Sequence, residues 1–285
     1  MSITASDLIS KDSKVPSLPT IFLQINEAVN KPRSTMRDIA RIISADQGLS
    51  ARLLRIVNSA FYGFPSKIDT ISRAITIIGT KQLRDLALAT TVIQMFRGMP
   101  TKLVNINSFW RHSVACGISS RILASYHSES NIEHFFVAGL LHDIGRLLIY
   151  KEAPSQAKDV LAQSRKKNEL LHLVERDVLG FDHAEVGGLL LKAWRLPASL
   201  EEAVRFHHRP ARAPRFPMEA SMTHLADLIA NALQMGSSGE RFVPHLEGEA
   251  WNRLGISTSV LRPAVQQIDR QFENTVALFL EDNGS

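Results

Sequence analysis

Gly139-Leu140-Leu141-His142-Asp143-Ile144-Gly145-Arg146-Leu147-Leu148-Ile149-Tyr150 is an apolar, helix-like run with an imidazole and a carboxylate side by side in its middle. Phe135, Phe136 and Ala138 lead into it, making the segment apolar nearly all round, and a helix of that kind is central to its domain. Burying His142 beside Asp143 is costly unless something binds them. On one continuous helix the two side chains point about 100° apart, so they converge on one ion only at the helix surface between them. Taken alone, the pair also fits a core histidine beside a capping or surface aspartate. Arg146, one turn beyond His142, either meets a phosphate oxygen beside a metal or reaches solvent and pairs with a carboxylate.

Working outward, helical periodicity recurs on both sides and strand alternation is absent. Ile21, Phe22, Ile25, Ala28 and Val29 mark a first helix after Val15-Pro16-Ser17-Leu18-Pro19-Thr20. Met36, Ile39, Ala40, Ile42 and Ile43 mark a second, Ala45-Asp46-Gln47-Gly48 a turn, and Leu49, Leu53, Leu54, Ile56 and Val57 a third. A fourth runs through Ile71 to Ile78 and stops at Gly79, and a fifth follows through Leu83, Leu86, Ala87 and Leu88. The second and third helices, with Arg52 and Arg55, also fit a helix-turn-helix that offers those arginines to nucleic acid. The third helix is apolar on more than one side, which favours a buried bundle helix over one lying in a groove.

The chain of 285 residues is long enough for one large or two modest cores. Residues 1–100 hold 13 Lys/Arg against 7 Asp/Glu, while residues 101–285 hold 20 against 21. All ten histidines lie between His112 and His245, so the basic and histidine-rich parts have different jobs. One cysteine, Cys116, excludes an internal disulfide framework and suits a reducing compartment. No secretory signal and no membrane-spanning apolar run are visible, so a cytoplasmic protein is expected.

Four further pieces of the histidine-rich part carry chemistry-bearing residues. Ser108 is the expected N-cap of a helix to about Tyr126, on which His112 lies outside the stripe of Trp110, Val114, Ile118 and Ile122. After charged helices at about Pro154–Lys167 and Glu169–Leu179, Asp182 and Glu185 resemble a capping box for a helix beginning at His183. His207-His208 closes the next helix, where the dipole alone could stabilise them as cations. Met218 to Met235, capped by Gly236, carries His224, Asp227 and Asn231 as a polar seam that either lines a site or forms an inter-helix network.

The ordered set His112, His142-Asp143 and Asp227 resembles the HD superfamily of metal-dependent phosphohydrolases, in which those four residues hold a divalent ion on a helical bundle. His183 and His207-His208 look like the extra ligands that the HD-GYP branch uses for a second ion. The chain is most similar to the HDOD family. That likeness rests on the N-terminal bundle, Phe109-Trp110-Arg111-His112-Ser113, the Gly139–Arg146 run, and His183 through Trp194-Arg195-Leu196-Pro197 to His207-His208-Arg209-Pro210.

The resemblance spans about residues 15–235 and implies a bacterial signalling or regulatory module. HDOD metal sites are often degenerate, but this chain retains the whole set. His207-His208 is followed by Arg209-Pro210-Ala211-Arg212-Ala213-Pro214 and not by an acidic residue and a Gly-Tyr-Pro loop, which argues against cyclic-di-GMP hydrolysis.

The expected architecture is all-α: a polar leader at 1–14, an N-terminal helical bundle at 15–100, an HD-like metal-binding helical bundle at 101–236 and a C-terminal helical segment at 237–285. Histidine with carboxylate suits one or two divalent ions of Fe, Mn, Zn or Ni better than Mg alone. The implied partners are a signalling protein and a nucleotide or other phosphoester, with nucleic acid the weaker reading. A metal-dependent phosphohydrolase, with Arg146 on the phosphate, is the alternative activity.

Overall fold

The computed structural model describes residues 3–10, 16–99 and 102–281, and among these there are helices and no strand. The chain divides into two compact units, Ser17–Arg97 with Asp269–Ser285, and Met1–Pro16 with Gly98–Ile268. The segment expected at 237–285 is therefore shared between the units. Its long helix α15, Leu261–Leu280, begins in one and ends in the other.

The first unit contains α1 (Thr20–Asn30), α2 (Met36–Ser44), α3 (Gln47–Val57), α4 (Ile71–Ile78) and α5 (Thr80–Arg97). Thr35 starts α2 with a full capping box: its hydroxyl accepts from Asp38 N at 3.2 Å, and its own N–H donates to Asp38 Oδ2 at 3.0 Å. Thr35→Ala removes the hydroxyl that accepts from Asp38 N and should lower stability by about 1 kcal/mol in urea unfolding. An unchanged midpoint would show the cap to be idle. The expected turn at 45–48 is shorter than read, because Asp46 caps α3 through Leu49 N (2.8 Å) and takes Gln47 and Gly48 into its first turn.

Leu49, Leu53, Ile56 and Val57 of α3 are buried, and α3 packs on α2, α4 and α5. Arg55 Nη2 donates to Leu278 O (3.3 Å) and Arg97 to Leu280 O, so these guanidinium groups serve carbonyls that α15 leaves unpaired at its C-terminus.

The second unit holds α6 (Ile106–Tyr126), α7 (Ile132–Leu141), α8 (Ile144–Glu152), α9 (Pro154–Lys167), α10 (Leu171–Leu179), α11 (His183–Ala193), α12 (Ala198–Phe206), α13 (Pro217–Ala232) and α14 (Gly248–Leu254). α6 packs on α7 and α13, α11 on α8 and α12, and α12 on α13. The cap of α6 is Asn105, whose Oδ1 accepts from Ser108 N at 2.9 Å, and not Ser108 itself. α13 stops before Gly236: Gln234 takes the left-handed position (φ 54°) and Met235 N bonds Ala230 O.

The leader expected to be polar carries a short 3₁₀ turn, Asp7–Ile9, whose Leu8 is buried against α8 and α11. Residues 1, 2 and 11–15 lie outside the described residues, as do 100, 101 and 282–285. Among the described residues no helix is long and apolar enough to cross a membrane.

Candidate metal centre

The apolar run at 139–150 is two helices. α7 ends at Leu141, α8 begins at Ile144, and His142 and Asp143 form the corner between them. Asp143 has φ −98° and ψ 6°, the sparsely populated bridge region that breaks a regular helix. The corner removes the 100° divergence expected on a continuous helix and sets His142 Nε2 3.2 Å from Asp143 Oδ2.

Three overlapping groups of ligand atoms meet there, one of them His142, Asp143 and His207 at the corner itself. His112 of α6, His142 and Asp227 of α13 form the first, with His112 Nε2 3.2 Å and His142 Nε2 3.3 Å from Asp227 Oδ1. His183 of α11 with His207 and His208 just after α12 forms the second. Asp143 serves both sides: Oδ2 is 3.7 Å from His112 Nε2, and Oδ1 is 2.9 Å from His183 Nε2. The structure thus brings together all seven residues singled out in the sequence.

The surroundings prepare these atoms for a cation. His142 Nδ1 donates to Gly139 O (2.7 Å), His207 Nδ1 to Val204 O (2.7 Å) and His183 Nδ1 to Glu175 Oε2 (2.6 Å). Each bond puts a proton on Nδ1 and leaves Nε2 as the atom that faces inward for a cation to take, the second-sphere arrangement of metal-ligating histidines. Asn231 Nδ2 orients Asp227 Oδ1 at 2.7 Å. His224 Nδ1 donates to His207 O at 2.8 Å and fixes the backbone there.

The donor set fits a metal on a further observation. The Nε2 atoms of His112, His142 and His207 and Asp143 Oδ1 are buried without a hydrogen-bond partner. Their contacts are at ion-pair distance but not aligned as hydrogen bonds, and leaving four such atoms unsatisfied is costly unless a cation satisfies them.

Electrostatics sort the imidazoles. Burial opposes charge on His142, but Asp143 outweighs it and holds His142 well above its ordinary value. Burial and Arg146 likewise oppose charge on His183, yet Glu175 and Asp143 carry it up to about 9. Burial pushes His207 and His208 well down, and the neighbouring imidazoles push them further. Burial favours neutral Asp143 and Asp227 as well; Arg146 and His142 override it at Asp143, the close imidazoles of His112 and His142 at Asp227, and both end well below the carboxylate range.

Arg146 does not reach solvent. Its Nη1 donates to Ser238 Oγ (2.7 Å), and its Nε lies 3.3 Å from Asp143 Oδ1 and 3.8 Å from Glu175 Oε1. It braces the cluster, and its pairing with carboxylates is the one of its two sequence readings that the geometry displays. Sequence reasoning missed Glu175, although a glutamate on the face of α10 that buries Leu171, Val174 and Leu179 was a signal. It also missed His172, whose ring stacks on His208 at 3.9 Å, and Ser238, both without motif context.

The fold recurs in solved structures. An HDOD domain protein of unknown function from Geobacter sulfurreducens superposes with TM-score 0.79 at 24% identity, covering 97% of each chain. A candidate phosphohydrolase from Shewanella amazonensis SB2B gives 0.72 at 26% identity, over 95% of this chain and 96% of that one. Among curated proteins, an uncharacterized protein of Treponema pallidum (strain Nichols) is 26% identical over 211 residues, which is 74% of this chain but only 40% of that protein. The family model for the HDOD domain matches residues 15–210, about two thirds of the sequence and including every clustered residue but Asp227, and the chain belongs to the HDOD family.

Proposed function

We propose that this chain is an HDOD regulatory module that binds a divalent transition metal in its second unit. His112, His142, Asp143 and Asp227 would hold one ion, and His183, His207 and His208, with Asp143 between the groups, offer a place for a second. The observation that carries this reading is the convergence of three buried, unpartnered Nε2 atoms on Asp143. Mixed imidazole and carboxylate donors favour Fe, Mn, Zn or Ni.

Regulation is preferred to turnover because six of the seven residues are at most 4% exposed. A bound ion would supply Lewis acidity toward a phosphate oxygen and a lowered pKa for a coordinated water. For this chain's own residues, Glu175 and the carbonyls of Gly139 and Val204 keep the histidines in the ligating tautomer, Arg146 keeps Asp143 ionised, and the apolar wall excludes bulk water. The partner of such a module would be a signalling protein in a reducing compartment.

Elemental analysis of the purified chain tests the reading, with one or two transition ions per chain expected and loss in His142→Ala. Stoichiometric metal that survives this substitution would sink the ligand assignment. Chelator-sensitive hydrolysis of a phosphodiester or nucleotide would move the chain to the enzymes instead.

A further inference from the structure

Of the seven clustered residues only His208 is half-buried, and a cavity of about 230 Å³ opens against it. Four arginines line that cavity: Arg176, Arg205, Arg209 and Arg212. Residues 101–285 carry 20 Lys/Arg against 21 Asp/Glu, so this local excess is not a background of basic residues.

The arginines are placed by the fold. Pro210–Arg212 is a single 3₁₀ turn closed by Arg212 N to Arg209 O at 2.9 Å. Arg209 at the N-cap of that turn and Arg212 at its end both reach the cavity. Gly188 makes room for Arg205, since a methyl there would strike its Cβ.

The counter-charges are partly committed elsewhere. Asp182 caps α11 through Glu185 N (2.9 Å) and pairs with Arg176, while Arg205 lies 3.9 Å from Glu201. Glu185 also lines the cavity. Among the described residues no carboxylate lies within ion-pair distance of Arg209 or Arg212, and Arg176 Nη1 is buried with no hydrogen-bond partner. Planar guanidinium forks that face one cavity match phosphate oxygens better than carboxylates.

We propose that this arginine-lined cavity binds the phosphate group of a small phosphomonoester. The volume lies below the roughly 300 Å³ at which drug-sized clefts begin, which suits a phosphate with the first part of its carrier. Phe206 supplies an apolar wall for that carrier. His208 borders both this cavity and the metal cluster, so the cavity assigns a ligand class to the cluster's mouth without needing a metal to bind it.

The test is calorimetric titration of the full chain with inorganic phosphate, adenosine 5′-monophosphate and ribose 5-phosphate, and with adenosine as the unphosphorylated control, in chelator-treated and in metal-loaded protein. A phosphomonoester should bind saturably, one per chain, with a Kd of about 1 mM or tighter. Arg209→Ala with Arg212→Ala should weaken binding about tenfold or more, whereas Arg41→Ala on α2 leaves it unchanged. Arg212→Glu, at an exposed position, repeats the test without touching the core.

No binding, equal binding of adenosine, or indifference to the cavity arginines overturns the proposal. Free phosphate binding as tightly as both esters overturns it in favour of an anion site. Phosphate binding by a chain that never holds metal overturns the metal reading alone; metal without phosphate binding overturns this one alone.

Discussion

Asp143→Ala should strip the metal from the protein and destabilise it even after chelation. The carboxylate is 2% exposed and is the hub of the cluster: His142, His183 and Arg146 lie 3.2, 2.9 and 3.3 Å from its oxygens. Without it, Arg146 keeps only the more distant Glu175 carboxylate at 3.8 Å as a charged partner. Removing one member of a buried ionic group leaves an uncompensated charge, at a cost of about 3–5 kcal/mol. Both candidate ion positions lose the donor between them, so metal per chain should fall to near zero. Urea unfolding of chelator-treated protein and elemental analysis read the two effects separately. A variant within about 1 kcal/mol of the parent and still loaded would remove Asp143 from the centre of the site.

The same geometry fixes a pH dependence for chelator-treated protein. His183 is raised to about 9, so its contribution to stability is full below about 6.5, its value in the unfolded chain, and is lost as pH rises through about 9. Asp143 and Asp227 are depressed, so theirs is full above about 4 and lost as pH falls through their folded values. Metal should flatten the alkaline limb, because the ion takes the place of the His183 proton. An alkaline slope that is the same with and without metal would remove His183 from the ligand set.

Helix periodicity made most of this architecture legible, and charge and backbone geometry hid the rest. α9 falls at the expected Pro154–Lys167, since Pro at its first position and basic residues in its last turn are local signals. The end of α10 at Gly180 is also local, because only the left-handed cap is needed. The corner at His142-Asp143 is not local. Leu141, Ile144, Leu147 and Leu148 continue a helical apolar pattern straight through it, and the bend is set by what Asp143 meets outside it, His112 of α6 and His183 of α11. The α13 cap misled for a similar reason: Gly236 has a positive φ and no room for a Cβ against His112 N and Ser108 O of α6, and neither follows from ending a helix. The seven clustered residues were legible because a resemblance ordered them. Glu175 and Ser238 were not, since each acts through a neighbour that carries the motif.

Gly145→Ala should disable one half of the cluster while leaving the other. At an open helix position this change gains up to about 1 kcal/mol, because alanine loses less backbone entropy than glycine. Here the sign reverses. A Cβ on Gly145 would collide with the His183 carbonyl oxygen and lie 2.7 Å from Gly187 N, both main-chain atoms of α11 that cannot rotate away. Overpacking of this kind costs about 1–3 kcal/mol. Relief requires α11 to move off α8, which carries His183 away from Asp143 Oδ1 and strains its 2.6 Å bond to Glu175. His112, His142 and Asp227 sit on α6, at the end of α7 and on α13, so their group keeps its geometry. The expected result is a lowered melting temperature with loss of the ion at His183, His207 and His208 and retention of the other. Gly248→Ala, where a Cβ meets nothing within 4 Å, is the matched control and should leave both readings unchanged. A Gly145→Ala protein with parental melting and full metal would mean that the close approach of α8 to α11 does not position His183.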